Sequence, residues 1–320
     1  MTGQGRSSLV AEPLHIIEAQ QFDRPFMETL FQRSTELKQV VEEEGGCDLL
    51  RNRVLVVLFY QPSTRTRLSF ETAMSRMGGA VVSTENALEF SSHSKGESIE
   101  DTIQTVACYG DVVVLRHHQE GGVRRAARVS PVPVINAGDG PGQHPTQALL
   151  DMYTIRNEFG AFDGLTVALV GDLKYGRTVH SLAYLLAKYP VKKLYLVAPE
   201  QVEMPPRLIA HLQKRVELES CTDLEAVAGD VDVVYTTRLQ QEYFEDPLAY
   251  QRSLGRYTLH QGVLAAMKEQ AIILHPLPRN DEIPYQVDLD PRARYFQQVR
   301  NGLYLRMALL ERVLMPTLKA

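Results

Sequence analysis

Cysteine is scarce in this chain. Cys47, Cys108 and Cys221 are odd in number and far apart over 320 residues, which excludes a disulfide framework and a thiolate metal site. Such usage fits a reducing compartment, with the thiols expected as buried structural groups. Long apolar runs are missing too: none approaches the ~20 residues that span a bilayer. The polar stretch from Met1 to Val10 has no apolar centre to serve as a secretory signal. A cytoplasmic protein without a membrane partner is expected. Nor is there an excess of basic charge. Against 39 Asp and Glu stand 34 Lys and Arg, a net charge of −5, so no global positive field exists to hold nucleic acid. Any cationic pocket must be a local construction, suited to a small anion. No Ser-His-Asp order, metal-ligand cluster, paired carboxylates, internal repeat or low-complexity tract stands out, and neither metal nor cofactor is expected.

What is present is an ordinary globular composition, 44% apolar and 23% charged, with enough length for two α/β domains or one large one. The chain is organised around residues 54–70. Positions 54–59, Val-Leu-Val-Val-Leu-Phe, are an unbroken β-prone run, as in a parallel strand covered on both faces. Pro62 and Ser63 punctuate it, Ser63 being a good N-cap. Phe70, Ala73, Met74 and Met77 then recur at helical spacing until Gly78-Gly79. Thr64, Arg65, Thr66 and Arg67 therefore occupy a first helical turn, where free N–H groups and the positive dipole end favour an anion. Cations are unfavourable there unless something negative intervenes. Two hydroxyls and two guanidiniums on one turn suggest a phosphate cradle; the plainer alternative is a capped helix with solvated arginines.

A packing helix is expected over 22–44, before the first strand. Further strands are expected at 80–83, 111–115, 132–136, 165–170, 193–197, 231–235 and 271–274. Ligands in open parallel sheets bind at the C-terminal ends of the strands, and chemistry-bearing residues follow several of these. The strand at 111–115 delivers Arg116-His117-His118. That at 132–136 leads into a glycine-rich loop and a helix from Pro145, a favoured first residue, with His144 and Gln147 at its start. A capping histidine is the alternative there. Gly160 to Gly164 reads as a domain junction. Gly171-Asp172-Leu173-Lys174-Tyr175-Gly176-Arg177 imitates a dinucleotide fingerprint, but Leu173 replaces the second glycine and Asp172 would repel a pyrophosphate. Arg238 follows 231–235. After 271–274 comes His275-Pro276-Leu277-Pro278-Arg279, whose prolines remove N–H donors and leave carbonyls to accept from an N–H-bearing ligand, unless the loop is only a rigid connector. The polar stretch 91–98 has nothing apolar to anchor it; its single cation, Lys95, is expected on a mobile surface loop. Leu303, Met307, Leu310 and Leu314 stripe a closing helix. Arg65, Arg116, Arg177 and Arg238 thus each lie just past a strand, which implies an interdomain cleft for small polyanions.

With these motifs in hand, the chain closely resembles the catalytic chains of the aspartate carbamoyltransferases over nearly its whole length. The resemblance rests on residues 63–67 (Ser-Thr-Arg-Thr-Arg), 94–97, 136–140, 144–147 (His-Pro-Thr-Gln), 171–181, 237–240 (Thr-Arg-Leu-Gln) and 275–279. Pro276 stands where the ornithine enzymes usually carry Cys, which favours aspartate as acceptor. The resemblance implies an α/β fold of two similar-sized domains, each a mainly parallel sheet flanked by helices. Residues 1–157, completed by 298–320 as the C-terminal helix returns, would bind carbamoyl phosphate; residues 158–297 would bind aspartate. It implies that Ser63, Thr64, Arg65, Thr66 and Arg116 hold the phosphate, that Thr66, Arg116 and His144 polarise the carbonyl, and that Gln147 with the Leu277 and Pro278 carbonyls accept from the amino group. Arg177, Arg238 and Gln240 would hold the carboxylates of L-aspartate. Lys95, with Ser91, would enter a neighbouring chain's site as a catalytic and aspartate-binding residue, which requires a homotrimer. Regulatory chains or dihydroorotase are possible further partners. A different amine acceptor, or an inactive scaffold homologue, remains open. In well-known bacterial members an acidic residue two places before the phosphate-binding Ser pairs on closure with the arginine corresponding to Arg177 and with a further arginine. Here those places hold Gln61 and Tyr243, so closure must be held differently, with Gln61 expected to accept from Arg177.

Overall fold

The structure, a computed structural model, describes residues 12–90, 95–239 and 256–315. Two all-parallel sheets carry the chain. The first contains β1 (Val54–Phe59), β2 (Ala80–Thr84), β3 (Val112–His117) and β4 (Val134–Asp139) in the order β2-β1-β3-β4. The second contains β5 (Thr166–Val170), β6 (Lys193–Val197), β7 (Glu217–Cys221), β8 (Val233–Thr236) and β9 (Ile272–Leu274) in the order β7-β6-β5-β8-β9. Central strands are buried along nearly their whole length, which is why they read as unbroken apolar runs. β7 was not expected from the sequence. It is an edge strand with Glu217, Glu219 and Ser220 exposed, and Lys193 of β6 pairs with its Glu217 and Glu219. An edge tolerates charge that a central strand does not, so the apolar signal is absent.

The described helices are α1 (Arg24–Glu44), α2 (Thr64–Arg76), α3 (Ala87–Phe90), α4 (Ile99–Val106), α5 (Gly122–Val129), α6 (Pro145–Phe159), α7 (Arg177–Leu186), α8 (Pro206–Leu212), α9 (Gln261–Ala266) and α10 (Tyr295–Leu314). Asp23 caps α1 by accepting from the Phe26 N–H at 2.8 Å, and Gly45, at φ +81°, closes it. α4 and α5 were not separately expected. α6 is buried on every side over its first eleven residues, because it packs against α7 and α10 as well as against β4. α10 also lies on α1 and α2. Leu37, Phe70, Leu149, Met152, Leu182 and Leu309 consequently share one apolar core that runs from the first sheet to the second. Polar contacts join the same helices: Asn301 Nδ2 of α10 donates to Thr154 Oγ1 of α6 at 3.1 Å, and Arg33 of α1 pairs with Glu311 of α10 at 2.7 Å.

The cysteines correct an expectation. Cys108 is exposed and Cys47 and Cys221 are half-buried, at the periphery of the sheets rather than in a core.

One turn joins the second sheet to the cavity described below. Gly171, directly after β5, has φ +107°, and a Cβ there would lie 2.2 Å from the Thr237 carbonyl oxygen. Gly171→Ala should therefore destabilise the protein by about 2 kcal/mol or more, from strain plus overlap, and push aside the turn that carries Arg238. The urea midpoint is the measurement; an unchanged midpoint would mean that the β5 and β8 turns separate freely.

Candidate active site

The strand orders place the site. In the first sheet β1 lies between β2 and β3, so the connections leaving β1 and β3 diverge and open a crevice at their C-terminal ends. Arg65 stands in the first turn after β1, and Arg116 pairs in register with Phe59 at the end of β3. The second sheet repeats this: β5 lies between β6 and β8, with Arg177 following β5 and Arg238 following β8. All four arginines line one cavity of about 510 Å³. So do Ser63, Thr64, Thr66, His144, Gln147, Leu277 and Pro278. A second cavity of about 500 Å³ shares the wall formed by Arg177, Thr178, Arg238 and 275–278 and extends to Gln61 and Asp172.

Not every expected residue meets these cavities within the described residues. Lys95 is exposed and lines neither cavity of its own chain. Gln240 lies outside the described residues, as do Ser91 and Tyr243. Arg67 also departs from the expected cradle. Its guanidinium turns to Glu85 at 3.3 Å and Glu71 at 3.8 Å, because positions two apart on a helix do not share a face. Only Arg65 of the pair meets the cavity.

Ser63 occupies the N-cap position of α2 with extended backbone, yet its hydroxyl makes no capping bond. It is left available beside the free N–H groups of the first turn. His144 likewise precedes α6 without a side-chain cap; its Nδ1 stands 3.5 Å from the Thr146 hydroxyl. The His144 backbone N–H donates to Ser181 Oγ at 3.0 Å, and that hydroxyl donates to Gln143 Oε1 at 3.0 Å. The imidazole is 4% exposed. Burial, then Arg177, Arg116 and Arg306, push its pKa well below the ordinary value. It is a neutral ring that can donate one N–H without adding charge.

Burial, reinforced by Arg177 and Arg65, brings Arg116 down to about 9. Its Nη1 donates to the Ala137 carbonyl at 3.3 Å, while Nε is buried and has no partner among the described residues. Burial also lowers Arg65. Gly138, at φ +125°, passes beneath the cluster: a Cβ there would stand 3.0 Å from Arg116 Nη1 and 3.2 Å from Arg177 Cζ. Arg177 Nη1 donates to the Gly140 carbonyl at 2.6 Å. Opposite these donors lies the 275–278 loop. His275 Nδ1 accepts from the Leu277 N–H at 2.7 Å, which leaves Nε2 to carry the proton toward Glu282 at 2.9 Å. Leu277 has φ +57° and is joined to Pro278 by a cis bond.

Sequence reading missed Ser69, Gln298 and Arg306, which line the same cavity. Arg306 is 4% exposed, donates from Nη1 to Ser69 Oγ at 2.7 Å and stacks over Phe70 at 5.1 Å. Burial brings it down to about 10, with Asp151 opposing the shift. The available signal was spacing. Gln298, Gly302 and Arg306 recur every fourth residue in a helix judged by its apolar stripe alone.

The arrangement can accommodate a compact anion among arginines with a neutral N–H donor beside it. The chain matches known proteins closely. Residues 14–157 match the aspartate/ornithine carbamoyltransferase, carbamoyl-P binding domain, and residues 163–313 match the Asp/Orn binding domain of the same enzymes. The chain belongs to the aspartate/ornithine carbamoyltransferase family. It is 54% identical to aspartate carbamoyltransferase 1, chloroplastic, of Pisum sativum over 94% of this chain and 78% of that one. With the aspartate carbamoyltransferase catalytic subunit of Thermoplasma acidophilum it shares 46% identity over 93% and 97%. Among solved structures, the Trypanosoma cruzi aspartate transcarbamoylase in complex with carbamoyl aspartate and phosphate superposes with a TM-score of 0.90 at 41% identity, covering 94% of this chain and 96% of that one.

The histidines give a pH signature. His15, His144, His180, His211 and His275 all have pKa values lowered from 6.5, each chiefly by burial. Below about pH 6.5 the unfolded chain binds more protons than the folded one, so stability present above that pH is lost as pH falls. Asp151 opposes this, since its pKa is raised to about 7 and its protonation favours the folded state at lower pH. Five groups against one should lower the thermal midpoint between pH 7.5 and pH 5.5, and His144→Gln should weaken that dependence. Calorimetry across the range checks both. A midpoint that rises on acidification would rule out neutral His144 and His275.

Proposed function

We propose that the first cavity takes carbamoyl phosphate and that L-aspartate then enters from the adjoining one. The chain transfers the carbamoyl group to the α-amine of aspartate, giving N-carbamoyl-L-aspartate and phosphate, an early step of pyrimidine biosynthesis. What carries this reading is the convergence of Arg65, Arg116, Arg177 and Arg238 from two strand-order switch points on one cavity, within a chain of this family.

The phosphate sits on the first turn of α2, held by Ser63, Thr64, Arg65 and Thr66, with Arg116 across from them. Thr66, Arg116 and neutral His144 donate to the carbonyl oxygen, where charge develops as the amine attacks. Guanidiniums already lowered by burial gain most from an anion, since it relieves both their desolvation and their mutual repulsion. Gln147 and the Leu277 and Pro278 carbonyls accept from the carbamoyl amino group. Arg177, Arg238 and Gln240 hold the aspartate carboxylates. No side chain needs to act as general base: the departing phosphate takes the proton, and catalysis is positioning plus electrostatics. Residues 1–157 with 298–320 serve carbamoyl phosphate, and 158–297 serve aspartate. Gln61 remains a neutral contact for Arg177 on closure.

Lys95 completes the site from a neighbouring copy, so the working unit is a homotrimer with shared sites. Its exposure and its absence from the lining of its own chain's cavities support this. Sizing the native assembly, alone and in cell extract, tests for the trimer and for added regulatory chains or dihydroorotase. The scarce, unpaired cysteines support a cytoplasmic setting, although the name of the pea relative places that protein in the chloroplast.

Lys95→Ala and His144→Ala should each be nearly inactive, and mixing them should restore part of the activity, because some mixed sites combine intact Lys95 and intact His144. Exchange confirmed by native mass spectrometry without recovery would refute sharing. Arg238→Ala should raise the KM for aspartate by about tenfold to a hundredfold, the loss of a charge-assisted contact worth about 1.5–3 kcal/mol. Carbamoyl phosphate affinity should hold. Calorimetry that finds both substrates equally weakened would overturn the division of roles.

A further inference from the structure

Asp151 is a buried carboxyl with no place in the chemistry above. It is fully buried on α6, one turn after Gln147, and three donors from three elements converge on it. Gln147 Nε2 reaches Oδ1 at 2.8 Å, Gln298 Nε2 of α10 reaches the same oxygen at 2.6 Å, and the Tyr235 hydroxyl of β8 reaches Oδ2 at 2.8 Å. A side-chain amide has one donating and one accepting end, and nothing in its shape decides which faces a ligand. An acceptor fixed behind it decides. With Nε2 of Gln147 turned to Asp151, Oε1 is the end left for a molecule in the cavity. With Nε2 of Gln298 on the same carboxylate oxygen, Gln298 Oε1 is free to accept from the His275 N–H at 2.9 Å, at the root of the 275–278 loop. One carboxyl therefore sets the polarity of both walls of the pocket assigned to the carbamoyl amino group.

We infer that Asp151 is a positioning residue that makes this pocket accept only, and so selects a carbamoyl group over an acyl group of the same shape. The inference rests on the reading of Gln147 as the partner of the substrate's amino group. It concerns how that partner is aimed. Burial raises the Asp151 pKa to about 7, against its three hydrogen bonds and the charge of Arg306. Protonation does not disturb the device: a proton on Oδ2 is shared with Tyr235, whose oxygen also bonds Thr178, and Oδ1 still accepts from both amides. By the same logic Asn at 151 preserves the arrangement, with Oδ1 toward the glutamines and its NH₂ toward Tyr235. Leu at 151 keeps the volume and removes the acceptor.

The test compares carbamoyl phosphate with acetyl phosphate, which carries a methyl in place of the amino group, on the assembled enzyme. KM is measured for the first, and the inhibition constant against it for the second. Asp151→Leu should weaken carbamoyl phosphate by about tenfold, as for one misdirected hydrogen bond, and change acetyl phosphate by less than about twofold. Asp151→Asn should keep the wild-type preference. A purely structural role would weaken both ligands alike in Asp151→Leu, and that outcome overturns the inference. Gln147→Ala separates the two layers. If it abolishes the preference while Asp151→Leu does not, the positioning claim fails alone; if it leaves the preference intact, the reading of Gln147 fails and the inference with it. Should Asp151→Leu not fold, a neutron structure of the wild-type enzyme with phosphonoacetamide decides. Deuterons of Gln147 Nε2 on the Asp151 side support the assignment, and deuterons on the ligand side overturn it.

Discussion

Guanidinium groups held close together without carboxylates between them are the constraint on which this architecture turns. Among the described residues no acidic side chain pairs with Arg65 or Arg116. Each is lowered by burial, and Arg116 further by Arg177 and Arg65. Left to itself, such a cluster separates or draws in carboxylates. It is held because each arginine roots at or just beyond the end of a buried parallel strand, whose register fixes its position against neighbours on both sides. The unfavourable arrangement is thereby held in place by the sheets.

The rest of the molecule serves that storage. α6 and α10 form the seam between the two sheets, and the residues that cross it are polar as well as apolar. Asp151 ties α6 to β8 through Tyr235 and to α10 through Gln298. Gln298 in turn holds the 275–278 loop, and Arg306 holds Ser69 of α2. The acceptor wall and the donor wall of the cavity are thereby referenced to the same two helices. α10 alone carries contacts to both walls, through Gln298 to the 275–278 loop and through Arg306 to Ser69.

The sheets were legible in the sequence because central parallel strands have no solvent face to encode. The runs at 54–59, 165–170 and 193–197 match β1, β5 and β6 to within one residue. β3 and β4 run two or three residues further than expected, since Arg116, His117 and Asp139 extend strands whose ends are functional rather than apolar. β7 was illegible because an edge strand can carry Glu217 and Glu219. The arginine positions could be read because strand ends are where parallel sheets bind ligands. Where a long side chain turns is not written locally: Arg65 and Arg67 look equivalent in the sequence, and Glu85, eighteen residues beyond Arg67, draws only the latter away. Asp151, Gln298 and Arg306 were missed for the same reason. Their partners lie far off in the chain, and each sits in a helix whose apolar pattern accounts for it as packing.

The cavity's polarity follows from the order of its parts. Donors come from the starts of α2 and α7 and the ends of β3 and β8. Acceptors come from Gln147 and from a loop in which two prolines have deleted N–H groups. Between them stands His144, which burial, reinforced by the surrounding cations, keeps neutral. A protonated imidazole at that point would add a fourth like charge to Arg116, Arg177 and Arg306, and the cluster that depresses it is the cluster that needs it uncharged. A molecule with an anionic end, a polarisable carbonyl and an N–H-bearing end satisfies all three regions in one orientation. Reversed, it would set N–H donors against arginines and an anion against carbonyl oxygens. Donor and acceptor placement alone therefore determines which face of the carbonyl meets the incoming amine, before any group has moved.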